Sequence, residues 1–155
     1  MRYRWSIALC SMLMLMCAAT SDAQQEQFAR ARRMQGCWRI SSSPFVAGPS
    51  GKVDAGQTIL PPVIALDTVP GKSWLNEPFG LRVRSFPGKS GSRYQDGYYT
   101  FPNSTTLLIS WTNGVVGMNL DVRADSSRMT GTASAWTDYM TSEHATVTLQ
   151  RVPCA

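Results

Sequence analysis

Histidine and cysteine are both scarce in this chain: 155 residues hold one of the first, His144, and four of the second. A catalytic triad or an imidazole-based metal centre would have to be built on that one ring. Ser142 and Asp138 lie near it in sequence, but neighbours on a strand point to opposite faces, and no strand-to-helix elbow surrounds a nucleophile here. His144 therefore reads as an ordinary residue at the entry to a strand. No group of His, Cys, Asp and Glu has the spacing of metal ligands, and Glu77 and Asp96 stand as isolated carboxylates. No enzyme activity, metal or cofactor is expected.

Negative charge is also in short supply. Lys and Arg outnumber Asp and Glu by 15 to 10, a net charge of +5. The excess is not arranged as a binding surface. Its one cluster, Arg30 with Arg32 and Arg33, precedes the first strand and suits a solvated helix face. The strand segments lack the interleaved aromatic and basic residues that a single-strand binder needs, so no nucleic-acid partner is expected. After residue 19 no apolar run is long enough to span a bilayer, and stable membrane insertion of the mature chain is not expected.

What is present begins with an export signal. Arg2 and Arg4 precede the apolar run "SIALCSMLMLMCAA", and Ser21 and Ala23 fit positions −3 and −1 of a cleavage site before Gln24. Cys17 after an apolar run gives a lipid anchor as the rival reading, although Met16 sits where a small residue is expected. The expected product is exported, periplasmic or extracellular, with residues 1–23 removed, a helical segment over 24–35 and a single domain over 36–155. Cleavage takes away Cys10 and Cys17. In an oxidising compartment Cys37 and Cys154 then permit one intramolecular pairing, which would tie the first strand to the last. Two unpaired buried thiols are the alternative.

The one helix candidate places Phe28, Ala31 and Met34 at i, i+3 and i+6, with Gly36 as its stop. Strand patterns follow over 37–42, from about Val63 (after Pro61 and Pro62), and over 79–86, 93–101, 104–111, 115–122, 128–136 and 144–152. Asn113-Gly114 marks a hairpin. Eight strands, most with one apolar face and most joined by short connections, read as an antiparallel sandwich or an up-and-down barrel. The Cys37–Cys154 pairing favours the barrel, in which first and last strands are neighbours and no edge is exposed.

Gly36-Cys37-Trp38, after a short helix and at the start of strand one, resembles the Gly-x-Trp signature of the lipocalins and the wider calycin barrels. Thr137-Asp138-Tyr139 is similar to the second signature of that family. The resemblance implies an eight-stranded barrel over 36–154, with Gly36 and Trp38 at its closed base and Arg151 of the last strand lying over the indole. It also implies, more weakly, a small apolar ligand inside. Tyr98, Trp111, Met118 and Trp136 are the candidates to line such a site. Gly117, Gly131, Ala133 and Ala135 would leave room for it if they face inward; bulky neighbours filling that room are the alternative. The second functional reading is a structural or protein-interaction domain of the envelope, acting through the loops at 43–57 and 70–78 on a rigid scaffold and holding no internal ligand. Ligand identity and oligomeric state are not legible in the sequence.

Overall fold

The computed structural model describes residues 25–48, 60–72, 75, 78–86, 96–138 and 142–154. The signal-peptide assignment, Tyr139 and most of the 43–57 loop lie outside the described residues. The chain falls into two compact units, Met1–Arg33 and Met34–Ala155. Residues 25–34 are helical. Within this helix Ala31 and Met34 are buried, whereas Phe28, the first position of the expected apolar stripe, is 43% exposed.

Nine strands follow: β1 (Gly36–Ser42), β2 (Val46–Ala47), β3 (Val63–Lys72), β4 (Pro78–Phe86), β5 (Asp96–Thr100), β6 (Thr106–Thr112), β7 (Val116–Arg123), β8 (Arg128–Thr137) and β9 (Ser142–Val152). They form one antiparallel sheet in the order β1-β3-β4-β5-β6-β7-β8-β9, closed by pairing of β1 with β9. The eight long strands are thus a closed meander barrel. The sandwich reading is set aside. Closure is extensive, running from Cys37↔Val152 to Ser42↔Val147.

The short β2 is the continuation of β1 along the same neighbour, with Val46↔His144 and Ala47↔Glu143. Pro44 separates the two pieces because it has no amide hydrogen to give the ladder. The break is bridged locally: the Ser43 amide donates to Thr146 O, and the Thr146 amide donates to Ser43 Oγ.

β3 begins where Pro61 and Pro62 stop denying the ladder its donors, at Val63. It runs to Lys72, so the expected loop at 70–78 is shorter than its sequence suggested. Pro70 stays within the strand, opposite Leu81, at the cost of register shifts on either side of it. A proline is tolerated in a strand at such irregularities.

Turn chemistry fixes the register of the second half. Asn113 Oδ1 accepts from the amides of Val115 and Val116, and Gly114 adopts φ 90°, a conformation that glycine reaches without a Cβ clash. At the next turn Asp125 Oδ1 accepts from the Ser127 amide and hydroxyl. These hydrogen bonds hold the Asp125 carboxyl below the usual carboxylate range.

Strict alternation then sorts side chains inward and outward. Leu107, Ile109 and Trp111 of β6 stand beside Val122, Leu120 and Met118 of β7 on the inner face. Each of the six is at most 1% exposed.

Candidate functional site

One end of the barrel is built around Trp38. Its indole is fully buried, and Nε1 donates to Met34 O at 2.9 Å, satisfying one of the carbonyls that a helix leaves unpaired at its last turn. Register places Arg151 directly opposite Trp38, and the guanidinium carbon lies 4.8 Å from the ring centroid. Arg151 also donates from Nη1 to Gln35 O and from Nε to Ser126 O, both at 2.9 Å. One side chain therefore ties the entry to β1, the turn before β8 and the face of an indole. Gly36 makes room for this: φ is +130°, and a Cβ there would stand 3.1 Å from Arg151 Nη1. Alongside, the Cys37 and Cys154 sulfurs are bonded at 2.00 Å across a sequence separation of 117. These groups pack together and staple β1 to the segment after β9. None of them offers a ligand site.

The interior above this base divides the four candidate lining residues in two. Trp111 and Met118 point inward as a cross-strand pair, and Trp111 Nε1 donates to Ser85 Oγ at 3.2 Å. Tyr98 and Trp136 do not line the interior. Each precedes or follows a fully buried inward residue, Tyr99 or Ala135, and alternation sends it to the outer face. Gly117 is likewise turned outward, and Gly131 leaves no room because a Cβ there would come 2.0 Å from Asp121 O. Ala133 and Ala135 do face inward, opposite Leu120 and Met118, but both have no accessible surface.

Among the described residues, Tyr99 and Glu143 are ionisable groups on the inward face above this base. The Tyr99 hydroxyl donates to Asp67 O at 2.7 Å, and its pKa is pushed well above the ordinary tyrosine value, first by burial and then by the Asp67 charge. Asp67 itself turns its carboxylate outward to Arg82 and Arg84 at 2.7 and 3.0 Å. Glu143, opposite Ala135, is 9% exposed. It lies eight positions along β9 from Arg151, and so at the far end of the barrel from Trp38.

The outer face carries an arrangement that sequence reasoning missed. Trp136 stands directly opposite Gly117, and its indole occupies the space above that glycine: a Cβ on Gly117 would fall 2.3 Å from Cζ2 and 2.9 Å from Nε1. One row further along, Tyr98, Ser110, Asn119, Ser134 and His144 stand abreast on β5 to β9. Oriented so that both ends of its amide meet complementary groups, Asn119 accepts from Trp136 Nε1 at 3.3 Å and donates to Met118 O at 3.2 Å and to Ser110 Oγ. Ser110 is only 4% exposed. Ser134 Oγ and His144 Nδ1 are 3.0 Å apart. His144 thus meets Ser134 across the sheet, and neither Ser142 nor Asp138 is its hydrogen-bond partner there. The pair sits on an exposed strand face, where a serine and a histidine at hydrogen-bond distance also form an ordinary cross-strand contact.

Among the described residues no three His, Cys, Asp or Glu side chains gather as metal ligands, and no helix is long and apolar enough to cross a membrane. No family model, curated protein or solved structure matches this chain.

Proposed function

We propose that the protein is an exported, lipocalin-like barrel that works through its outer surface, as a recognition or interaction domain of the envelope, and not by carrying a ligand inside. The observation that supports this reading is the packing of the middle of the barrel. Tyr99, Ile109, Trp111, Met118, Ala133 and Ala135 are each at most 1% exposed, so no space of water size touches them, and an internal ligand would have to displace core side chains. A covalent staple between β1 and β9 accords with an oxidising compartment. The Gly36, Trp38 and Arg151 arrangement at one end of the barrel supports the likeness to the lipocalin architecture.

The experiment is a titration of the oxidised chain with an apolar fluorescent probe and with long-chain fatty acids, read by tryptophan quenching. The expected outcome is no saturable change. Saturable quenching at micromolar probe, lost in Met118→Trp, would restore the internal-ligand reading.

A further inference from the structure

The two bonded cysteines stand in unlike surroundings. Cys37 is 1% exposed, whereas Cys154 is an exposed residue. Cys37 shares the outer parity of Arg39, which is exposed, so strand geometry alone does not hide it. Its partner on β3, Ala65, is also only 2% exposed, and the cover at this point therefore extends beyond the sulfur. Cys154 lies past the ladder. β9 ends at Val152, the partner of Cys37, and Pro153 has no amide hydrogen with which to extend the pairing. The second cysteine is thus carried on an exposed tail, two residues beyond the strand. Pairing of β9 with β1 brings it to a Cα–Cα distance of 5.2 Å from Cys37.

From this asymmetry we infer that Cys154 is the residue at which a thiol–disulfide oxidase of the exported compartment engages this protein, acting on a barrel that has already closed. The inference rests on the export part of the proposed function and not on its outer-surface part. Exchange needs a sulfur that the partner's active site can reach, and of the two only Cys154 belongs to an exposed residue. A protein joined to Cys37 would have to be accommodated where the folded chain leaves 1% of that residue open, so such an adduct opposes folding. A protein joined to Cys154 hangs from the tail and leaves β1 able to pair. The chemistry balances in two exchanges. The Cys154 thiolate attacks one sulfur of the oxidase disulfide, which forms a mixed disulfide and releases the other oxidase sulfur as a thiolate. The Cys37 thiolate then attacks Cys154 Sγ and expels the first oxidase sulfur. Cys37 needs no access to solvent for this step, since the sulfur it attacks is the one it is bonded to in the native structure. In all, the two cysteines lose two electrons and two protons, and the oxidase gains both.

The test uses Cys37→Ala and Cys154→Ala chains isolated in reduced form, with oxidised glutathione and oxidised protein disulfide isomerase as probes and peptide mass mapping to locate each adduct. In buffer the adduct should form on Cys154 of the first variant at least about tenfold faster than on Cys37 of the second. In concentrated urea the two rates should converge, which assigns the difference to the fold. Reduced wild-type chain keeps the test independent of either variant's stability. A brief pulse of oxidised glutathione should place its transient adduct on Cys154 and yield the Cys37–Cys154 bond as end product. Equal rates in buffer, a first adduct on Cys37, or a reduced wild-type chain that is unfolded in buffer overturns the inference. The export reading falls separately, on recovery of the unprocessed chain from the cytosol.

Discussion

Arg151 lies across Trp38 at 4.8 Å and is the cross-strand partner of the same residue. Stacking and strand closure are therefore one interaction: the guanidinium covers the indole because β9 has paired with β1. Its two further bonds, to Gln35 O and Ser126 O, make it a planar fork with several acceptors, a role that lysine cannot reproduce.

Arg151→Lys should lower the unfolding free energy by about 1 kcal/mol and Arg151→Ala by about 2 kcal/mol, through loss of a cation–π contact and of charge-assisted bonds to carbonyls. Urea denaturation followed by tryptophan fluorescence gives both numbers. Equal stability of all three proteins would show that the contact contributes nothing.

Joint replacement of Cys37 and Cys154 by alanine releases a loop closed across a sequence separation of 117. The chain-entropy account puts the loss at up to about 4–5 kcal/mol, with smaller values common. Cys37 and Cys154 should not react as free thiols in the native protein, and reduction should reproduce the denaturation midpoint of the double variant.

Ala133→Leu adds bulk at an inward position that has no accessible surface. In a filled barrel this overpacking costs about 1–3 kcal/mol. In a barrel with spare volume the same change would be neutral or stabilising, so a thermal melt of this variant separates the two architectures without a ligand.

Alkaline pH should expose Tyr99. Its hydroxyl is held protonated in the folded state by burial and by Asp67, while in the unfolded chain it ionises at about pH 10. The folded value is the higher one, so this contribution to stability is full below about pH 10 and is lost as the pH rises further. Tyr99→Phe should flatten that alkaline limb and cost about 1 kcal/mol at neutral pH, since Asp67 O loses its donor. Stability measured from pH 7 to 11 on both proteins checks the difference.

Much of the barrel was legible because apolar alternation survives in most strands. Val116, Met118, Leu120 and Val122 mark the inner face of β7 without help from neighbours. β2 was not legible, since two residues between a proline and a glycine carry no period. β8 misleads in a different way. Its inner face is made of Met129, Gly131, Ala133 and Ala135, and its one large aromatic, Trp136, stands among threonines and serines on the outer face. Bulk pointed to the core, whereas parity with Ala135 pointed away from it, and only strand pairing decides between them. Tyr98 and Tyr99 pose the same problem, two identical side chains on opposite faces. The seat under Trp136 depends on Gly117 being its partner, and a residue's partner on the next strand is set by turns and register that one strand's sequence does not contain.

The pairing of β1 with β9 has a kinetic consequence. The earliest strand has only one of its two eventual neighbours, β3, until the last strand of the chain has been delivered. Intermediates must therefore wait with an open seam, and such long-range pairing makes folding slow and the waiting species prone to association. Until β9 pairs with it, that edge of β1 keeps its amides and carbonyls without strand partners, an open template for another chain.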